Sequence, residues 1–429
     1  MAKTYRPYVP EQDLLLPPSL RDWLPENHLA YFVSDLVDHL DLSAITALYE
    51  DEERGYPPYH PVMLTKVLLY AYCVGVFSSR RIQRRLIEDV AFRVLAAGNE
   101  PDFRTIADFR KRHLSVLQGF FEQVLDVARD LGTLRVGRVA LDGSKVKANA
   151  SKHKAMSYGH MKEKQKQLRA EVAQLLAQAE ATDAAEDAEY GADVSGDELP
   201  AELQRRESRL KRIREATRAL KARAKEDAAA KGQPVESAKP DPKAQYNFTD
   251  PESRIMKGPD GFVQAYNVQV AVDEQQLIVG QAVTQETNDK KQLLPMITII
   301  EQQLGATPPQ LLADAGYCSD ENLTAIAGTT LDAYISTRKQ KHGERPGPCP
   351  RGPLPKTATI VDRMARKLHT KAGAAVYAAR KSIVEPVIGQ IKHARGFRQF
   401  LLRGVEKVRG EWALVCTTHN ILKLYRLYG

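Results

Sequence analysis

The chain has 429 residues, of which 43% are hydrophobic and 27% are charged. This composition supplies a full core and two or three structural units, which excludes a disordered protein. The formal net charge of +8 favours an acidic polymer, nucleic acid first, over a small neutral metabolite as the partner.

The cysteines and the apolar segments exclude other classes. The four cysteines are far apart and form no CxxC pair, so we expect neither a zinc knuckle nor a disulfide framework. No stretch has the length and apolar content of a signal peptide or a membrane span. We therefore expect a cytoplasmic protein, associated with the nucleoid when bound to DNA, with no membrane partner.

Residues 1–130 are predicted to form a helical DNA-binding region. A proline-rich arm over 1–25 is followed by helical spacing from about His28 and by an apolar helix over 62–77. The next helix carries a basic surface, which is either solvated or contacts phosphate. Its residues include Arg81, Arg84 and Arg85.

A second basic helix follows in the sequence DFRTIADFRKRHL. Thr105 and Asp108 have capping-box spacing ahead of Arg110, Lys111 and Arg112. Several short helices with two basic clusters indicate a DNA-binding domain of the helix-turn-helix kind.

At Leu134 the pattern changes to that of a strand, in which Asp142 directly follows the apolar residues VAL. An acid at a strand end can also be a turn residue, and Gly143 fits that alternative. Residues 151–246 are highly charged and predict a long helical hairpin inserted into another domain. We expect its charged faces to be mostly solvated, the alternatives being contact with a second protomer or with DNA.

Strand patterns return over 262–272 and 277–283, which predict an antiparallel hairpin. An amphipathic helix separates this hairpin from the buried strand QLLA, which ends at Asp314. Because a helical crossover permits parallel pairing, we expect a mixed sheet that brings Asp142 and Asp314 to one edge. Glu286 and Asp289, between the hairpin and that helix, could offer an extra acid near the site, but we expect them to be loop residues that cap the helix.

The acid Glu385 lies in an apolar helical run near the C-terminus. Lys381 and Lys392 share its side of the helix. Pro386 removes a helix hydrogen bond, so the helix either begins near Ser382 or kinks at Glu385. We expect a kink that aims the carboxylate at the two aspartates.

Three converging carboxylates raise one another's pKa unless a cation compensates their charge. Their hard oxygen atoms suit Mg²⁺ or Mn²⁺, and two such ions support phosphodiester chemistry. Asp142, Asp314 and Glu385 are therefore the candidate catalytic and metal-binding residues. His393 and His419 have no partner at metal-site spacing and are not candidates.

The motifs ALDGSKVKA around Asp142, LLADAGYCS around Asp314 and VEPVIGQIKHARGFRQFLLRG around Glu385 resemble, in this order, those of DDE transposases of bacterial insertion sequences. The resemblance implies an α/β fold, with an RNase H-like mixed β-sheet flanked by helices. The catalytic domain would comprise 131–150 and 247–429, beside the N-terminal helical domain 1–130 and the helical insertion 151–246.

Related transposases carry a signature of Tyr, Arg, Glu and Lys separated by two, three and six residues. Here Tyr377, Arg380, Glu385 and Lys392 are separated by two, four and six, so either Arg380 or Lys381 could fill the arginine position. Tyr377 could contact DNA or pack in the core. The residues for which the resemblance implies DNA contacts are Tyr377, Arg380, Lys381, Lys392, Arg395, Arg398 and Arg403.

The implied activity is metal-dependent cleavage at transposon ends followed by strand transfer into target DNA. The partners would be double-stranded DNA, with its terminal inverted repeats and its target, and a second copy of the chain on paired ends. A nuclease of the same fold that performs no strand transfer is one alternative. A non-catalytic DNA-binding scaffold derived from a transposase is the other.

Overall fold

The computed structural model describes residues 19–50, 57–190, 201–230, 232–258, 261–338, 349 and 352–429. Most of the predicted N-terminal arm lies outside these ranges. The N-terminal helices are α1 (Leu29–His39), α2 (Ser43–Glu50), α3 (Pro61–Cys73), α4 (Ser79–Glu88), α5 (Val90–Leu95), α6 (Phe103–Arg112) and α7 (Leu114–Asp130).

Both strands and helices make up the rest of the described chain. They are β1 (Arg138–Lys147), β2 (Ala155–Ser157), α8 (Tyr158–Tyr190), α9 (Ala201–Ala230), β3 (Gln245–Asn247), β4 (Arg254–Gly258), β5 (Gly261–Asp273), β6 (Ile278–Thr284), α10 (Leu293–Leu304), β7 (Gln310–Ala313), α11 (Asp320–Ala327), β8 (Asp332–Ile335), α12 (Ile360–His369), α13 (Lys371–Gly389) and α14 (Val405–Tyr428).

The central sheet is mixed, as the sequence predicted. β1 lies in its middle, antiparallel to β5 and parallel to β7, which is parallel to β8. β5 forms hairpins with both β4 and β6, which pair with successive stretches of it. This order, with helices on both faces, is consistent with an RNase H-like fold and confirms the predicted fold class.

Successive residues of β1 contribute to different cores, because side chains alternate across a strand. Val139 and Leu141 pack with α10 and α11 on one face. Ala140 and Val146 belong to a larger core on the other face, where α13 and α14 lie. Asp142, an even-numbered residue, therefore lies on the α13 face.

The N-terminal helices share that larger core with the C-terminal helix. α14 packs against α3 and α7, and its residues from Gly410 to Ile421 are all buried. A helix that is apolar or buried on every side must be covered all round, and the N-terminal helices provide much of that cover. Among the described residues, no helix has the length and apolar content needed to cross a membrane.

The segment predicted as an inserted hairpin contains two long helices, α8 and α9. β2 and β3 pair antiparallel at its base, and α8 packs along α9. Its own small core is built from Tyr158, Met161, Leu168, Leu210, Ile213, Ala216 and Leu220.

Two local predictions are wrong. The side chain of Asp102 caps α6, accepting from the backbone N–H groups of Arg104 and Thr105, so Thr105 and Asp108 form no capping box. α13 begins at Lys371 and not near Ser382.

The helix α13 continues through Pro386. A proline leaves the carbonyl four residues earlier without its helical partner. Here that carbonyl belongs to Ser382, and it accepts a hydrogen bond of 2.9 Å from the side chain of Gln276. A side chain outside the helix thus donates a hydrogen bond to the carbonyl that Pro386 leaves without a helical partner.

Candidate active site

Asp142 lies in β1, and Asp314 comes directly after β7, the neighbouring parallel strand. The last pair in the register joins Ala140 of β1 to Leu312 of β7, and each aspartate comes two residues later. Asp142 does not end its strand, because β1 continues to Lys147 in its pairing with β5. The turn alternative for Asp142 is therefore wrong.

Burial dominates the electrostatics of Asp142. It raises the pKa of this carboxyl to about 6 from its usual value of 3.8, the positive charge of Arg380 opposes the rise, and the carboxylates of Asp314 and Asp289 add to it. The backbone N–H of Gly143 donates a hydrogen bond of 3.0 Å to Asp142. The site therefore concentrates negative charge where little water can screen it.

Asp289 is a further acid at this place. The prediction that it caps the following helix is wrong, since its side chain makes no capping hydrogen bond. Its Oδ1 accepts instead from Asn267 Nδ2 at 2.6 Å and from Gln269 Nε2 at 2.7 Å. The ammonium of Lys145 lies 3.6 Å from the same oxygen. Asp289, in the segment that follows β6, thus contacts side chains of both β5 and β1.

Two glycines leave the space in which these acids lie. A Cβ on Gly143 would contact Asp289 Oδ1 and would come within 2.7 Å of Gln269 Nε2. A Cβ on Gly316 would lie 2.9 Å from Asp314 Oδ1 and 3.2 Å from Asp289 Oδ2. Only a residue without a side chain fits at either position without displacing a carboxylate.

Arg380, and not Lys381, points toward the acids. The side chain of Arg380 is 12% exposed, with Nη1 3.7 Å from Asp142 Oδ2 and Nη2 3.6 Å from Glu385 Oε1. Its Nη1 is buried without a hydrogen-bond partner. Lys381 is exposed on α13. Tyr377 is partly buried against the core, and burial raises the pKa of its hydroxyl.

Lys392 reaches β1 from a short π-helical segment, Gln390–Ala394, that follows α13. Its ammonium donates to Ser144 Oγ at 2.6 Å and to the carbonyl of Lys145 at 2.7 Å. Burial lowers the pKa of Lys392, while the charge of Asp142 opposes that change. The lysine thus lies on the same face of the sheet as Asp142.

Glu385 is near the aspartates through Arg380 but remains half exposed, with 50% of its side chain accessible. Over the ranges that the structure describes, no three His, Cys, Asp or Glu side chains are grouped as a metal site. The donors nevertheless suit a hard divalent ion in kind, because they are carboxylates around space kept open by two glycines. To bind such an ion, Glu385 would have to leave its contact with Arg380.

The remaining basic residues differ in accessibility. Arg395 is buried and donates to Thr418 Oγ1 at 2.8 Å and to the carbonyl of Val415 at 3.0 Å, so it anchors α14 and is not available to DNA. Arg398 and Arg403 are exposed. Arg398 donates to the Lys392 carbonyl, and Arg403 to the Asn149 carbonyl.

The predicted basic surface of α4 is exposed but partly neutralised. Arg84 pairs with Glu88, and Arg85 pairs with Asp89, each one helical turn away. Arg81 is exposed. In the other basic cluster Arg110 is buried and donates to Tyr72 and to the Phe77 carbonyl, so its role is structural.

The sequence did not predict Lys145, Asn267 and Gln269 as residues of the site, and it assigned Asp289 to a helix cap. A signal for two of them was present, because Asn267 and Gln269 alternate with Val268 and Val270 in a strand. Both are fully buried. Polar residues on a buried strand face need partners, and Asp289 supplies one.

The sheet order and the adjacent aspartates of β1 and β7 define a protein with an RNase H-like fold and an acidic centre. Two family models match the chain: a transposase domain (DUF772) over 18–112 and a transposase DDE domain over 354–425. No curated protein and no solved structure gives a match. The two domains confirm the resemblance to a DDE-type transposase of an insertion sequence and indicate a transposase function.

Proposed function

We propose that this protein cleaves the ends of a mobile DNA element and joins them to target DNA. The observation that carries the proposal is the position of Asp142 and Asp314 at the same level of two neighbouring parallel strands. α13 adds Glu385 and Arg380 to this place, and the following segment adds Lys392. The matched DDE domain includes these last three residues.

Asp142, Asp314 and Glu385 are the proposed catalytic residues and ligands for Mg²⁺ or Mn²⁺, with two ions as the expected number. Such ions, when bound, activate an attacking oxygen and stabilise a leaving oxygen of a phosphodiester. We propose adding Asp289 to this set. Its contacts with Asn267 and Gln269 fix its carboxylate close to Gly143 and Gly316, beside the two aspartates.

The cations of the site are suited to a phosphate. Arg380 neutralises Asp142 and Glu385 in the described arrangement, and its Nη1 has no hydrogen bond to lose. A DNA phosphate could accept from this guanidinium, which is the geometry that arginine offers to phosphate. Lys392 would hold a second phosphate oxygen as a point charge.

The DNA surface proposed around the centre comprises the exposed cations Lys381, Arg398 and Arg403, with Arg81 on α4 as a more distant contact. Arg84 and Arg85 would have to release their acidic partners first. Tyr377 contributes to the wall of the site. A homodimer on paired ends is proposed because cleavage and joining of an element involve two ends.

The test is cleavage and joining of a labelled duplex that carries the inverted repeats flanking the gene, with Mg²⁺ present. We expect the wild type to release a 3′ end and to form joined products. We expect Glu385→Gln to lose at least 100-fold in cleavage while it still binds the duplex, because its carboxylate is replaced by an amide of the same shape. Glu321→Gln, at an exposed position of α11 to which we assign no role, is the control that makes the same substitution.

The outcomes separate the proposed function from its alternatives. Cleavage without joined products favours a nuclease on the same fold. Binding without cleavage by the wild type favours a scaffold that has lost its chemistry. Equal cleavage by the wild type and by Glu385→Gln removes Glu385 from the site.

A further inference from the structure

The inserted hairpin carries a basic groove away from the acidic centre. The groove has a volume of about 740 Å³ and lies between α9 and the segment that leads into β2. Its cationic lining residues are Lys154, Arg205, Arg209 and Arg212, and His153 also lines it. No acidic side chain lines it among the described residues.

The arginines of this groove form one row on α9. At 100° per residue, Arg205, Arg209 and Arg212 fall within about 60° of one another. All three are exposed, and none has an ion pair among the described residues. Their neighbour Arg206 differs, since it pairs with Glu171 at 3.1 Å. A row of exposed, unpaired cations creates a local positive potential that attracts a polyanion.

The length of the row is comparable with a short stretch of nucleic-acid backbone. The seven steps along the α-helix from Arg205 to Arg212 span about 10 Å. One strand of duplex DNA presents about three phosphates over that length, at about 3.4 Å each along the axis. The charge and the dimensions of the groove therefore fit a phosphate backbone better than a small anion.

Basic residues connect the groove with the acidic centre. Arg398 contacts the carbonyl of Lys392, and the segment after it is hydrogen-bonded to the end of β1 through Lys147. Arg403 donates to the carbonyl of Asn149 at 2.9 Å, five residues before Lys154. Exposed cations thus follow one path from the site to the foot of the hairpin.

We propose that this groove, lined by Lys154, Arg205, Arg209 and Arg212, binds the phosphate backbone of DNA whose reacting phosphate lies at Asp142 and Asp314. This proposal rests on the proposed function. The hairpin then extends the DNA contact beyond the catalytic domain and contributes to affinity more than to sequence choice, because phosphate contacts do not distinguish bases.

The test compares two triple variants of the full chain that remove the same charge from one helix. The groove variant is Arg205→Ala, Arg209→Ala and Arg212→Ala. The control is Lys211→Ala, Arg214→Ala and Arg218→Ala, whose exposed side chains lie on the opposite side of α9. Fluorescence anisotropy measures the affinity of each for the end duplex over a range of salt concentrations.

We expect the slope of log affinity against log salt to decrease by about 3 in the groove variant, since each lost phosphate contact removes about 0.9. The control should keep a slope close to that of the wild type. If the groove variant unfolds, as judged by circular dichroism, Arg209→Ala alone should lower the slope by about 1 and Arg209→Lys should restore it.

The outcomes distinguish a failure of the groove proposal from a failure of the proposed function. Wild-type affinity with an unchanged slope in the groove variant overturns the groove alone. An equal decrease in the groove and control variants also overturns it, because it would show a general charge effect. A wild type that binds no end duplex contradicts the proposed function, and the groove proposal fails with it.

Discussion

Gly143 and Gly316 leave the space that the carboxylates of the site occupy. Each lies where a Cβ would meet the carboxylate of Asp289 or Asp314. Neither is described with a positive φ, so their need for glycine comes from the close approach of neighbouring atoms and not from the backbone. Small residues in these two places allow acids from three chain segments to converge.

We expect Gly143→Ala to impair cleavage far more than folding. The new Cβ must displace the Asp289 carboxylate and the Gln269 amide, which are ends of side chains and can move without unfolding the strand. A displacement of about 1 Å can cost about 100-fold in rate. We therefore predict a cleavage rate at least 100-fold lower, with a thermal midpoint within a few degrees of the wild type's.

The control for that change is Gly119→Ala in α7, where a Cβ would have nothing within 4 Å. This variant should cleave at the wild-type rate. Wild-type cleavage by Gly143→Ala would contradict the claim that the space beside Asp289 matters to the chemistry.

The sequence predicted those site residues that are marked by a short local pattern. Asp142 and Asp314 each follow a short apolar run, and β7 was predicted with the bounds that the structure shows, because QLLA is apolar and bounded by turn residues. Asp289 was misassigned because its position before a helix is also typical of a cap. Only the fold brings it to Gly143, and no local pattern reports that distance.

Arg395 shows the same limit for a basic residue. A cluster of arginines after Glu385 indicates a DNA surface, yet Arg395 turns inward to Thr418 on α14. The fold decides which members of a basic run face solvent.

The continuity of α13 depends on a contact made by another element. Gln276, in the turn between β5 and β6, donates to the Ser382 carbonyl that Pro386 leaves without a partner. The same side chain accepts from Lys423 of α14 at 2.5 Å. One glutamine thus connects the sheet with two helices, and one of them carries Glu385.

A double-mutant cycle tests this contact. Pro386→Ala restores an N–H group that can donate to Ser382, so the loss of Gln276 should then matter less. We predict that Gln276→Ala costs about 1 kcal/mol less in the free energy of unfolding in the Pro386→Ala background than in the wild type. Urea unfolding of the four proteins measures the difference.

Gln275→Ala is the matched control for the cycle, because this neighbouring residue makes no described side-chain hydrogen bond to α13. Its cost should be the same in both backgrounds. An equal cost of Gln276→Ala in both would mean that the contact does not compensate for the proline.

The two segments matched by transposase family models lie far apart in sequence but in contact in the molecule. α3 belongs to the first and α14 to the second, and they pack together in one core. Gly75 makes the approach possible, since a Cβ there would lie 2.6 Å from the Arg395 carbonyl. The N-terminal helices therefore support α14, the helix that follows the segment carrying Glu385.

We propose that the fold of the whole chain assembles carboxylates for a divalent ion. Binding of Mn²⁺, followed by electron paramagnetic resonance in the presence of the end duplex, tests it without relying on activity. The variant is Asp142→Asn with Asp314→Asn. The control is Asp35→Asn with Asp130→Asn, which makes the same charge change at two exposed positions.

We predict that the wild type and the control take up about two Mn²⁺ ions per chain. The Asp142→Asn and Asp314→Asn protein should bind the duplex but lose this uptake. Equal uptake by all three proteins would contradict the account, because the ions would then be held without the two aspartates that the fold places side by side.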